Sequence, residues 1–200
     1  MSYQIITVSR EFGSGGRTIG REVAKRLGIP CYDQEIIDKL SEESGFSKDY
    51  IAEKGEYANH GNWLANAFAS GGTNHSASNQ DYLWVLQRRI ICEIAEKGPC
   101  VIIGRCADYI LGNDYSCLKV FIHANIEKRK QHIIENYGER KESPEKRLRE
   151  KDKKRRAYYK YYTETEWGVA KNYHISLDSG ELGIERCVDI IVGAYEQNQK

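Results

Sequence analysis

The chain has 200 residues, 40% of them hydrophobic and 30% charged, with a formal net charge of +1. That size and balance suit one α/β unit with a buried core rather than two independent domains. Near-neutrality excludes a surface built throughout for nucleic acid, so any electrostatic specialisation has to be local and nucleic acid is not the expected partner.

In chain order, Gln4 to Ser9 is a β-branched run that predicts a first strand, ending at Glu11-Phe12-Gly13-Ser14-Gly15-Gly16. From Arg17 the apolar positions Ile19, Val23, Ala24 and Leu27 recur at three-and-four spacing, and Gly28 follows as a C-cap, which predicts a helix. Pro30-Cys31-Tyr32-Asp33 reads as a short second strand, with a helix from about Gln34 and another from about Ser47 to Glu56. Ala69 to Gln80, rich in Gly, Ser and Asn, has nothing to pack and is expected to be a loop. Asp81 to Lys97 predicts an amphipathic helix with Leu83, Leu86, Ile90 and Ile94 on one stripe, stopped by Gly98-Pro99.

Cys100 to Gly104 is continuously apolar, as in a parallel strand covered on both faces, and Leu118 to His123 is a further strand. Ile126 to Tyr137 is expected to be a helix burying Ile126, Ile133, Ile134 and Tyr137. The densest charge run follows, Arg140 to Lys160, with eleven basic residues against four acidic. A last strand near Tyr173 to Leu177 and a helix from about Gly183 to Tyr195 close the chain, with Ile184, Cys187, Val188, Ile191 and Tyr195 on the apolar face. Alternating strands and helices imply a parallel α/β sheet.

No apolar run approaches the roughly 20 residues a membrane helix needs. The opening Met1 to Ser9 lacks the basic-then-apolar form of a secretion signal, so a cytoplasmic location is expected. The six cysteines, Cys31, Cys92, Cys100, Cys106, Cys117 and Cys187, stand singly with no C-x-x-C pair, which predicts reduced packing thiols and no structural zinc.

The turn after the first strand carries the chemistry. Glu11-Phe12-Gly13-Ser14-Gly15-Gly16-Arg17-Thr18 approximates the phosphate-loop pattern G-x-x-x-x-G-K-[ST]. Glycines let backbone N–H groups converge on phosphate oxygens, and the following helix aims its positive end at them. Arg17 stands where the pattern has lysine, and Thr18 where a hydroxyl ligates magnesium. Glu11 replaces the first glycine and would repel phosphate unless Arg10 or a metal neutralises it. A glycine turn that binds nothing is the alternative.

The segments Ile6 to Gly20, Pro30 to Ile37, Val101 to Arg105 and Asp152 to Tyr159 resemble the cytidylate kinase-like family. The resemblance runs from near residue 4 to near residue 195 and is weakest over Ser47 to Gln80. It implies a P-loop NTPase fold with helices on both faces of a parallel sheet, over residues 1–200 as one kinase domain. An acceptor-binding helical insertion would occupy 34–80 and a helical lid 140–165. It implies transfer of the γ-phosphoryl group of ATP, with Mg2+, to a nucleoside monophosphate, CMP or dCMP being favoured.

Carried over position by position, Gly13 to Thr18 would hold the ATP phosphates and Thr18 the metal. Asp33, Lys39, Arg105, Lys151 and Asp152 would attend the acceptor, and Arg17, Arg155 and Arg156 would stabilise the transferring group. Asp152 could instead orient one of the lid cations, and Tyr158, Tyr159, Tyr161 and Tyr162 could stack a base or pack the lid. The chain departs from cytidylate kinases at Gln34-Glu35, where Thr/Ser-Gly is expected, and at Lys39, where arginine is. A kinase of another small acceptor, or a silent nucleotide-binding regulator, are the competing expectations.

Overall fold

The structure, a computed structural model, describes residues 3–54, 75–112, 114–138 and 141–198. Its elements are β1 (Ile5–Arg10), α1 (Gly16–Leu27), β2 (Cys31–Tyr32), α2 (Gln34–Ser44), α3 (Lys48–Lys54) and α4 (His75–Glu96). There follow β3 (Cys100–Ile103), α5 (Ala107–Ile110), β4 (Cys117–His123), α6 (Ile126–Tyr137), α7 (Pro144–Thr163), β5 (Ile175–Asp178) and α8 (Ser179–Gln197).

The five strands form one sheet in the order β2-β3-β1-β4-β5, with every pair parallel. All six residues of central β1 are buried, which is why its sequence shows no inside–outside alternation. Ile5, paired with Cys100 and Cys117, faces a core shared with Ile36, Leu40, Ile90, Ile94 and Tyr158. Ile6 and Val8 face the opposite way, onto Ile19 and Val23 of α1 and Cys187, Val188 and Ile191 of α8. The expected α/β parallel fold with helices on both faces is therefore the observed one.

Several local expectations change. α4 begins at His75, so His75 to Gln80, expected in a loop, is helical. The last glycine is Gly72, and nothing after it breaks a helix, so the polar turn rides on the apolar stripe behind it. The rest of the expected loop, 69–74, and the helix expected beyond Lys54 lie outside the described residues. Leu83, Leu86, Ile90 and Ile94 are buried as expected. In α6 the buried positions are Arg129 and Ile133, whereas Ile134 and Tyr137 are exposed and Ile126 is half-buried. The face of α6 that packs does so on the glycine turn, and it presents a guanidinium there. α8 starts four residues before the expected helix because Asp178 caps it, accepting from the N–H of Gly180 at 2.9 Å; Gly183, at φ 76°, kinks it.

All six cysteines are free thiols. Burial raises Cys31 to about 11 and Cys100 and Cys117 to about 12, so none of these three is a thiolate at neutral pH. Among the described residues no group of three or more His, Cys, Asp or Glu side chains is placed to hold a metal, and no helix is long and apolar enough to cross a membrane.

Candidate active site

Parallel strands deliver their carboxyl ends to one edge of the sheet, the place where open α/β sheets bind ligands. Here that edge carries Arg10 and the glycine turn after β1, Asp33 after β2, Gly104 and Arg105 after β3, and Ala124 after β4. Residues more than a hundred positions apart in sequence are neighbours there because β3, β1 and β4 are adjacent.

The turn itself is glycine-dependent. Gly13 and Gly15 have φ of 81° and 74°, in the left-handed region that favours glycine. A Cβ on Gly16 would stand 2.5 Å from Cβ of Arg10, so β1 and the start of α1 touch only because that residue has no side chain. Gly15 is the N-cap of α1 and no side chain caps it, so the first-turn N–H groups lack helical partners and face the cleft. Ser14 is turned inward: its hydroxyl donates to the carbonyls of Glu11 and Ile122, and its own carbonyl accepts from Ser179 Oγ at 2.6 Å. Ser14 can therefore serve an anion through its position in the loop and not through its side chain.

Glu11 borders the cleft, and Arg129 of α6 lies beside its carboxylate. One oxygen, Oε2, accepts from the Ala124 N–H at 3.3 Å and lies 3.4 Å from Nε of Arg129, an ion pair without hydrogen-bond alignment. The same guanidinium reaches Asp152 Oδ2 at 2.5 Å and the Phe12 carbonyl at 3.2 Å, while Asp152 Oδ1 accepts the Phe12 N–H at 2.8 Å. Arg129 and Asp152 are both buried. Asp152 is thus tied to Arg129 and to the Phe12 N–H.

Arg17 grips Asp33, Nε to Oδ2 at 2.6 Å and Nη2 to Oδ1 at 3.3 Å, and Arg21 approaches the same carboxylate at 3.4 Å. Asp33 is buried, but Arg17 is half exposed and borders the cleft together with the exposed Thr18. Lys39, half-buried in α2, is not among the residues lining either cleft. The glycine-turn cleft, about 730 Å³ of open space, is walled by Gly13, Gly15 to Thr18, Arg10, Glu11, Lys151, Arg155 and His132, among others. Nδ1 of His132 is buried with no hydrogen-bond partner among the described residues.

A second, smaller cleft lies beside it, about 290 Å³, lined by Ser9, Arg10, Gly104, Arg105, Arg155, Tyr158, Tyr159 and Trp167 among others. Arg105 takes φ 57°, left-handed for a residue with a side chain, and is 4% exposed. Its Nη1 is buried with no hydrogen-bond partner among the described residues. A buried cation left short of an acceptor is costly unless a ligand anion completes it. Arg155 is buried and donates to the Arg10 carbonyl at 3.0 Å, and Arg10 and Arg155 wall both clefts. Arg156, its sequence neighbour, is exposed and lies over the Trp167 ring at 5.8 Å, lining neither cleft. Lys151 lies over the Phe12 ring at 5.4 Å.

The tyrosines mainly pack. Tyr158 and Tyr159 are buried in the core, Tyr162 stacks on Trp84 at 4.4 Å, and Tyr161 is exposed. Tyr159 donates to Asp108 Oδ2 at 2.7 Å; burial raises the Asp108 carboxyl above its ordinary value and raises the Tyr159 hydroxyl too. Trp167 Nε1 donates to Ser9 Oγ at 3.0 Å. Arg129, His132 and Trp167 carry no role in the sequence reading, and Arg10 enters it only as a counter-charge to Glu11.

The profile of the cytidylate kinase-like family matches residues 5–181. The cytidylate kinase of Methanopyrus kandleri is 23% identical over 96% of this chain and 93% of its own. Among solved structures, an uncharacterized protein from Eubacterium ventriosum superposes with a TM-score of 0.72 at 23% identity, over 96% of this chain and 98% of the other. Shikimate kinase from Acinetobacter baumannii, in complex with shikimate, gives 0.56 at 14% identity, over 98% and 94%. With the glycine turn at the head of α1 and 177 consecutive positions inside the profile's bounds, from 5 to 181 inclusive, the chain belongs to the cytidylate kinase-like family.

Proposed function

We propose that this protein is a phosphotransferase that moves the γ-phosphoryl group of ATP to a nucleoside monophosphate, with CMP or dCMP as the favoured acceptor. One observation carries the reading. Two adjoining clefts share Arg10 and Arg155, one backed by helix N–H donors and the other by buried Arg105, whose Nη1 has no hydrogen-bond partner among the described residues. Phosphoryl transfer asks for two anions side by side with positive charge between them, and for little covalent chemistry.

In this reading Gly13 to Thr18 cradle the donor phosphates, and the glycine geometry suits that use, since a Cβ on Gly16 would close the turn. Mg2+ supplies neutralisation of phosphate charge, and the Thr18 hydroxyl on the first turn of α1 is the side chain that would hold it. Arg105 receives the acceptor phosphate through its fork. Arg155, between the clefts, stabilises charge on the transferring group, with Arg17 and Lys151 at the rim. Arg17 must leave Asp33 to reach phosphate; with Arg17 half exposed the pair is worth about 1 kcal/mol or less, so a triphosphate competes readily. The donor's nucleoside has room on the far side of the turn, in a cleft between His132 of α6 and Gly180 to Ile184 of α8.

The test is ADP formation from MgATP across a panel of monophosphates. The reading expects one acceptor, foremost CMP or dCMP, to raise turnover well above background; it is lost if none does. The grip of Asp33 on Arg17 favours a second reading, a nucleotide-binding regulator without turnover. Calorimetric binding of ATP with no acceptor-dependent ADP would support that one. A kinase of another small acceptor predicts turnover outside the nucleotide panel.

A further inference from the structure

A glutamate at the head of a phosphate-binding turn is electrostatically wrong, and the molecule has a specific answer to it. We infer that Arg129 is a positioning residue that keeps the glycine turn competent for anions, by neutralising Glu11 and by fixing the Phe12 peptide together with Asp152. The inference rests on the phosphate-binding reading above and adds to it a residue of α6 that touches no substrate.

Three observations converge. Arg129 is buried, so its charge faces little water and acts strongly on what lies beside it. It meets both carboxylates of the neighbourhood, Glu11 at 3.4 Å and Asp152 at 2.5 Å, one from the turn and one from α7. And both polar groups of the Phe12 peptide are taken by this pair of side chains, the N–H by Asp152 at 2.8 Å and the carbonyl by Arg129 at 3.2 Å. The backbone of α6 adds to the confinement, since the Arg129 carbonyl is 3.1 Å from where a Gly13 Cβ would be. Without the guanidinium, the Glu11 carboxylate keeps only the Ala124 N–H among these contacts. It would then stand without the Arg129 charge, one residue from Phe12 and two from Gly13.

Arg129→Gln removes the charge and retains an amide that can still donate to Phe12 and Asp152. The readout is calorimetric affinity for MgATP and for inorganic tripolyphosphate, which reports the turn without the nucleoside. Relative to wild type, R129Q should weaken tripolyphosphate by about tenfold or more, the scale of a full charge lost at short range. Adding Glu11→Gln should return affinity to within about threefold, because the offending charge leaves with its counter-ion. A merely structural role for Arg129 would not be repaired by E11Q, so R129Q bound as tightly as wild type, or E11Q/R129Q no tighter than R129Q, overturns the inference. Arg129→Lys keeps the charge and loses the fork. It should bind within about threefold of wild type, and a tenfold loss there overturns the electrostatic account even should R129Q fail to fold. Wild-type protein that binds neither probe defeats the phosphate reading and this inference together, a pattern distinct from failure of the variants alone.

Discussion

The two clefts that meet at Arg10 and Arg155 are built in opposite ways. The larger is made mostly of backbone from consecutive residues, Gly13 to Thr18, where one strand ends and one helix begins. The smaller is made of side chains from β1, the turn after β3, α7 and Trp167, which are far apart in sequence. A backbone site depends on glycines and on a helix terminus, which are local properties. A side-chain site depends on which strands and helices lie next to one another, which is not. The difference predicts that variants at the shared wall hurt both ligands, that variants in the small cleft hurt one, and that variants in the turn act through conformation.

The largest effect is expected at the shared wall. Arg155→Ala should lower kcat by about 10³-fold or more, the scale of an arginine that stabilises a transferring phosphoryl group. Affinities for ATP and acceptor should fall together; an effect confined to one ligand would break the claim that the wall is common. Next comes Arg105→Ala, expected to raise the acceptor KM by about 10²-fold with ATP little affected. Because the Arg105 Nη1 has no hydrogen-bond partner among the described residues, its loss should leave thermal stability unchanged or raised. A large drop in Tm would show instead that Arg105 is structural.

Gly16→Ala sharpens the other side. The new Cβ would meet Arg10 at 2.5 Å. ATP affinity should fall about tenfold, with about 1–3 kcal/mol lost from stability, read by calorimetry and denaturant unfolding.

A smaller, pH-dependent effect belongs to the core beneath the small cleft. Burial raises the Asp108 carboxyl above its ordinary 3.8 in the folded protein, so the folded state holds its proton more tightly than the unfolded chain does. That contribution is fully present below 3.8 and is lost as pH rises through the raised folded value. Unfolding free energy should therefore decline with pH just above the ordinary carboxylate range, and Asp108→Asn should flatten that segment. An identical slope in the variant would remove Asp108 as its source. The smallest change is expected for Arg156→Ala, less than about threefold in kcat and about 0.5–1 kcal/mol in stability from the lost contact with Trp167. A loss as large as that of Arg155→Ala would put Arg156 back among the catalytic groups.

Arg155 and Arg156 show where reading along the chain stops. Both sit in one basic run, equally placed by composition, yet α7 turns one into the wall between the clefts and leaves the other in solvent. The same holds for α6: its isoleucines drew attention, but its buried polar residue is Arg129, which meets a glutamate 118 positions earlier. Asp152, expected to attend the acceptor or a lid cation, closes that same contact.

What the sequence determined alone is whatever neighbouring residues can settle between themselves. The unbroken apolar runs of β1 and β3 demanded burial on both faces. The stripe of α4 demanded a core, and Gly13 to Thr18 demanded a strand-to-helix turn with open N–H groups. The tertiary structure decided the rest: the contact of Glu11 with Arg129, the burial of the Arg105 guanidinium, and the placing of one of two adjacent arginines between the two clefts. These are outcomes of strand order and helix packing, which bring charges together through a low-dielectric interior where pairing cannot be inferred from spacing.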